Sequence, residues 1–173
     1  EAGYLPSSEA TGSREMNVQQ PQAVGFAGVR LARSDDLDRI FDFLIELHHE
    51  NGMFKIDSRK VRQQLGMMFN PESPGIIGLI DGPNGLEGSV GMTIEPWWYT
   101  NEPSLNERWN FVHPDFRKTT HAKRLIEFAK WASDKAQYPL IMGIISSERT
   151  EAKVRLYRRQ LNFVGGFFSH RLG

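Results

Sequence analysis

The sequence predicts a mixed α/β domain, hairpin-rich in its first half and alternating helix with strand thereafter. Three observations carry that expectation. The chain has 173 residues, 39% of them hydrophobic, which suits one compact core and is short for two. Its apolar residues switch several times between a period of two and a period of about 3.6. The turn Asp81-Gly82-Pro83-Asn84-Gly85 separates two apolar runs, the pattern of a β-hairpin. No apolar run approaches the roughly 20 residues of a spanning helix, so a helical membrane protein is excluded. Cysteine is absent, which removes disulfides, thiolate metal sites and cysteine nucleophiles together.

Residues 1–25 are rich in Ser, Gly, Gln and Pro and have no apolar period, so they read as a polar arm or an appended remnant ahead of a single domain over 26–173. They lack the basic start and apolar core of a signal peptide, and a cytoplasmic location is expected. Met16 is a candidate natural start. Pinned against its own domain, another copy or a larger partner, the arm would give the protein an assembly role or a homo-oligomer.

Val29-Arg30-Leu31-Ala32-Arg33 alternates like a strand. Ser34 then caps a helix whose first turn holds Asp35, Asp36 and Asp38, where the helix dipole favours negative charge. Leu37, Ile40, Phe41, Leu44, Ile45 and His48 recur at helical spacing until Asn51-Gly52. A second helix is expected from Ser58 to Phe69. Gly75 to Ile80 and Ser89 to Trp98 form the two arms of the hairpin, and Leu105 to His113 is the next strand. Thr119 to Lys135 places Ala122, Leu125, Ile126, Ala129 and Ala132 on one helical face. Leu140 to Ile145 reads as a buried strand, Thr150 to Gln160 as a helix, and Phe163 to His170 as a last strand. The expected order is β-α-α-β-β-β-α-β-α-β.

The formal net charge is zero, but the charge is unevenly distributed. Residues 108–159 hold 12 Lys and Arg against 5 Asp and Glu, a balance of +7, and the remainder carries −7. Two solvated faces explain this, as does an anionic ligand held by the basic segment. A global polyanion binder is disfavoured, and no nucleic-acid motif accompanies the basic residues.

Within that segment, Val112-His113-Pro114-Asp115-Phe116-Arg117-Lys118-Thr119-Thr120-His121-Ala122 joins a strand to a helix. Such a turn points unpaired N–H groups and the positive end of the helix dipole at an anion. The pattern resembles the acyl-CoA signature of the GNAT N-acetyltransferase family, Arg/Gln-x-x-Gly-x-Gly/Ala, with Arg117 at its first position and Ala122 at its last. Thr120 stands where glycine is usual. A second match, Leu156-Tyr157-Arg158-Arg159-Gln160-Leu161-Asn162-Phe163, is similar to the family's Leu-Tyr-x-x-x-Gly-Phe helix end. It carries one additional residue, and Asn162 replaces glycine there. The resemblance spans Val24 to the C-terminus and implies a GNAT-like fold, a mixed and mostly antiparallel sheet flanked by helices.

The resemblance implies an acetyl-CoA-dependent N-acetyltransferase, a transferase in which an acceptor amine attacks the thioester directly. Arg117, Lys118, Thr119, Thr120, His121 and Ala122 would hold the pyrophosphate of coenzyme A, and the main chain near Phe111 and Val112 the pantetheine arm. Tyr157 would protonate the departing thiolate, or simply pack in the core. A phenol of pKa about 10 can donate to a thiolate whose acid has pKa about 8.5, at some loss of driving force. For the base, Glu107 on the central strand and Glu95 on the strand before it are candidates; each is also readable as a surface carboxylate. Strand alternation groups Glu107 with Trp109, Phe111 and His113, opposite Arg108, Asn110 and Val112. His48 and His49 diverge on their helix, and no metal site is expected. Trp97-Trp98-Tyr99 could line an acceptor pocket, recognise a cation or bury an interface. The alternative function keeps the fold without catalysis, as a structural or interaction protein in an assembly.

Overall fold

A computed structural model describes residues 25–72, 75–146 and 149–170. The polar arm and Met16 lie outside the described residues, apart from Gly25. A six-stranded sheet runs in sequence order: β1 (Gly25–Phe26), β2 (Val29–Leu31), β3 (Gly75–Gly82), β4 (Gly85–Pro96), β5 (Pro103–Val112) and β6 (Leu140–Ile141). Every neighbouring pair is antiparallel except β5 and β6. The helices are α1 (Leu37–Asn51), α2 (Ser58–Met68), α3 (His121–Ala136) and α4 (Thr150–Arg158).

Local chemistry accounts for the element ends. Ala27 and Gly28 both have positive φ, 55° and 71°, the backbone a two-residue hairpin between β1 and β2 requires. Ser34 opens a short 3-10 turn rather than capping α1, and the Asp36 carboxylate accepts the Arg33 N–H at 2.9 Å. Asp36 also binds Arg30 at 2.7 Å and Arg39 at 3.2 Å, while Arg39 reaches Asp81 at 2.9 Å, tying β2 and β3 to the start of α1. Asp57 caps α2 by accepting from the N–H groups of Arg59 and Lys60.

The two sheet faces bury different helices. On one, Val29, Val90, Met92, Leu105 and Val112 pack against Leu125, Phe128, Ala129 and Ala132 of α3. On the other, Ile77, Leu79, Trp109 and Phe111 pack against Ile40, Phe43 and Leu44 of α1 and Leu65 and Met68 of α2.

One irregularity re-aims β5. The β4–β5 register runs Gly91↔Trp109 and then Met92↔Glu107, so Arg108 is an extra residue without a partner, a β-bulge. A bulge reverses the alternation beyond it. Glu107 therefore shares its face with Asn110 and Val112, toward α3 and α4, while Trp109 and Phe111 turn to α1 and α2. This corrects the alternation expected from sequence, which grouped Glu107 with Trp109 and Phe111. Gly91 makes the arrangement possible: a Cβ there would stand 2.2 Å from the Trp109 ring, which lies across it and donates to Ser89 Oγ at 3.0 Å.

The last expected strand does not form. Residues 163–169 carry no strand, with Phe163, Val164, Phe167 and Phe168 between 65% and 100% exposed. Gly165-Gly166 weakens extended structure at its centre, and β6 offers a ladder only two residues long for it to join. The expected strand Leu140 to Ile145 likewise shortens to Leu140–Ile141.

Candidate active site

Because β6 pairs with β5 only at Leu105↔Leu140 and Asn106↔Ile141, the two chains part after Asn106. From Glu107 to Val112, the β5 edge away from β4 has no strand partner among the described residues. The opening is flanked by α4 and leads to the first turn of α3.

Tyr157, from α4, closes the inner part of this opening. Its hydroxyl lies 3.1 Å from Glu107 Oε1 and 3.1 Å from Oε2, and accepts from Asn110 Nδ2 at 3.0 Å. The Gly143 N–H donates to Glu107 Oε2 at 3.1 Å. Burial pushes the Glu107 carboxyl up to about 7, against the hydrogen bonds from Tyr157 and Gly143 and the charge of Lys153, which all favour the carboxylate. Burial and the neighbouring Glu107 hold the Tyr157 phenol well above its ordinary value of 10. A carboxyl poised near neutrality, bonded to a phenol that keeps its proton, is a pair able to exchange protons at working pH.

Lys153, one turn earlier on α4, donates from Nζ to Ser146 Oγ at 2.7 Å. Burial holds its pKa below the ordinary lysine value, Arg117 and Arg149 lower it further, and Glu50 and Glu107 oppose the shift. Arg117 pairs with Glu50 near the C-terminus of α1, both side chains being about one quarter exposed, and its guanidinium lies 5.9 Å from the Phe111 ring centroid.

The expected pyrophosphate turn divides by role. Thr119 Oγ1 donates to the Phe116 carbonyl at 2.6 Å and accepts the His121 N–H at 3.2 Å, fixing the turn. Thr120 has φ −85° and ψ 5°, a conformation open to any residue, so the missing glycine does not distort the helix start. The His121 ring is buried, 2.7 Å from Glu87 Oε2, and faces the protein interior. Arg124 donates to the carbonyls of Ala27 and Gly28 at 2.7 and 2.6 Å, locking the β1–β2 hairpin to α3. Lys118 is exposed beside the turn, and Ala122 packs against the core, half-buried. The first turn of α3 leaves backbone N–H groups without intrahelical acceptors.

Glu95 stands apart from Tyr157. Its carboxylate binds Arg108 at the surface, and its carbonyl accepts from Ser104 Oγ and Asn106 Nδ2. Phe111 and Val112 send their side chains into the two cores, leaving only their main chain to the opening. Trp97 and Tyr99 line a cavity of about 430 Å³ with Glu102 and Tyr138, by the start of β5. The α3 turn lies beyond the other end of that strand. No cluster of three or more potential metal-ligating His, Asp or Glu occurs among the described residues.

Asn110, Lys153 and Glu50 are the site residues that sequence reading missed. The i, i+4 spacing of Lys153 and Tyr157 on α4 was a readable signal. Asn110 had none, since only the bulge brings Glu107 onto its face, and Glu50 meets Arg117 across 67 positions of chain.

No protein-family model matches the chain, and no curated protein matches it. Solved structures do. A possible acetyltransferase from Clostridium difficile 630 superposes with a TM-score of 0.63 at 19% identity, over 83% of this chain and 95% of that one. AAC(6')-Iy, in complex with the bisubstrate analog CoA-S-monomethyl-acetylneamine, superposes with a TM-score of 0.64 at 14% identity, over 83% and 95%. A GNAT family acetyltransferase from Staphylococcus aureus subsp. aureus USA300_TCH1516 gives 0.56 at 18% identity, over 85% and 99%. The fold is that of the GNAT acetyltransferases.

Proposed function

We propose that this protein is an acetyl-CoA-dependent N-acetyltransferase acting on an amine, and the Tyr157–Glu107–Asn110 cluster in the opening between β5 and β6 is the observation that carries the reading. The fold shared with acetyltransferases supports it, as does a neighbour in complex with the bisubstrate analog CoA-S-monomethyl-acetylneamine. No helix among the described residues is long and apolar enough to cross a membrane.

The residues present fit the cofactor. The N–H groups at the start of α3 with Arg117 and Lys118 would hold its pyrophosphate, and the open β5 edge at Phe111 and Val112 its amide-bearing arm. Lys123 and Arg149 extend the positive field. Acetyl-CoA supplies an acetyl group activated as a thioester, with a thiol as leaving group.

The chain's part is placement and proton movement. The Glu107 carboxylate would receive a proton at an Oε atom as the acceptor amine loses one. Tyr157 would supply its hydroxyl proton to the thiol leaving group and regain one from Glu107. Asn110 Nδ2 holds the phenol oxygen in place and stabilises negative charge that builds there. Holding the reactants in attack geometry supplies much of the rate, so a base of pKa near 7 suffices.

The test is a thermal titration with acetyl-CoA, followed by turnover on an amine panel. Acetyl-CoA at 100 times its dissociation constant should add about 2.7 kcal/mol of stability. No shift at millimolar acetyl-CoA rejects the reading. A shift without turnover on any amine leaves a binding protein.

A further inference from the structure

Lys153 and Tyr157 are separated by one turn of α4, so their side chains leave the same face of that helix. The Lys153 amine is held against Ser146 Oγ at 2.7 Å, in the segment that diverges from β5 after β6. Among the described residues, the charges that act on it include Glu107 on β5, Glu50 near the end of α1, Arg117 before α3, and Arg149 at the start of α4. Nζ is thus within electrostatic reach of both Glu107, the partner of Tyr157, and Arg117. An acetyl thioester laid along this opening passes a primary amine of the protein itself.

We propose that Lys153 is an internal acetyl acceptor, its Nζ taking the acetyl group of a thioester bound in the same molecule to give acetyl-lysine. The inference rests on the acyltransferase reading above. A nitrogen–carbon bond forms and the carbon–sulfur bond breaks. The amine proton passes to Glu107, and the departing sulfur receives one from Tyr157, which Glu107 replenishes; the products are the acetyl-lysine and a free thiol. Burial favours the neutral, nucleophilic amine at this position over that of an exposed lysine. Acetylation removes a positive charge that favours the Glu107 carboxylate, so the modified protein needs a higher pH to ionise Glu107.

The whole protein is incubated with acetyl-CoA, or with S-acetyl-N-acetylcysteamine, a small thioester without the nucleotide, then digested and analysed by mass spectrometry. Lys153 should gain one acetyl group at least about tenfold faster than exposed Lys55 and Lys118, as expected for a positioned amine. The reaction should be first order and independent of protein concentration. Lys153→Arg should abolish the fast phase, and Tyr157→Phe should slow it. A thermal shift with acetyl-CoA while Lys153 reacts no faster than the surface lysines overturns the proposal and spares the parent reading. Fast modification by the small thioester, with no response to acetyl-CoA, keeps Lys153 as acceptor and rejects the CoA site. No selective modification by either thioester overturns it.

Discussion

The Tyr157 hydroxyl on α4 stands 3.1 Å from both carboxylate oxygens of Glu107 on β5, across 50 positions of chain. Neither group has its ordinary acidity there: the carboxyl is pushed up to about 7 and the phenol well above 10. Both shifts have burial as their largest cause; Tyr157 is the principal hydrogen-bond partner of Glu107, while the phenol oxygen also accepts from Asn110 Nδ2 at 3.0 Å.

Glu107→Gln keeps the shape and an oxygen for the Gly143 N–H but removes the proposed proton acceptor. Steady-state kinetics on a working amine should show kcat reduced by about 10²–10³ with little change in KM for acetyl-CoA. A loss below about threefold would exclude Glu107 as the base.

The pH dependence has two readouts. As a base, Glu107 must be ionised, so kcat should rise through about pH 7 and level above it. Stability should move the other way. A carboxyl with an ordinary pKa of 4.5 that rises to about 7 on folding makes the native state bind more protons between those values. Stability is therefore lost as pH rises from 4.5 to 7, by up to about 3 kcal/mol, and is flat above. Urea unfolding at pH 5 and pH 8 checks this slope, which should vanish in Glu107→Gln.

Tyr157→Phe deletes the proposed proton donor and one bond that favours the Glu107 carboxylate. Turnover should fall by about 10²-fold, and the residual activity should rise at a higher pH than in the parent protein. An unmoved pH profile would show that the two residues do not communicate.

Glu50 holds Arg117 by an ion pair and adds negative charge near the proposed pyrophosphate position. Glu50→Gln should tighten acetyl-CoA binding several-fold, and Arg117→Ala should weaken it by about tenfold, measured by calorimetry at fixed salt. Equal affinities in both variants would place the cofactor elsewhere.

Asp36 tests the fold apart from the site. Its pairing with Arg30, the N–H of Arg33 and Arg39 holds it at about 2, against 3.8 ordinarily. This stabilisation is present above pH 3.8 and lost as pH falls through 2. Asp36→Asn should cost about 1–2 kcal/mol at pH 7, allowing for solvent screening, and the difference should shrink below pH 4. Chemical denaturation across that range measures it.

Much of this was legible in the sequence because it depends on neighbours in the chain. Helices α1 to α4 follow from their apolar spacing, the hairpin from Asp81 to Gly85, and the α3 turn from Arg117 to Ala122. The basic segment is set by residue type alone. The Leu-Tyr helix end drew attention to Tyr157, and the acidic residue of the central strand to Glu107. Their contact was not legible. It depends on the bulge at Arg108, which brings Glu107 onto the face of Asn110, toward α4, and which period-two alternation cannot reveal.

By itself, the sequence determined the order of the main elements from β2 to α4, though not the short β1, together with the absence of cysteine chemistry and the basic stretch around the helix start, since each is set by residue type and short-range spacing. The tertiary structure decided which groups meet. It paired Arg117 with Glu50, turned His121 toward Glu87, brought Lys153 within reach of the charges of Glu50, Glu107 and Arg117, and, among the described residues, left 163–169 without a strand partner. Those outcomes depend on sheet register, on burial, and on contacts between residues tens of positions apart, quantities that arise only when the chain closes on itself.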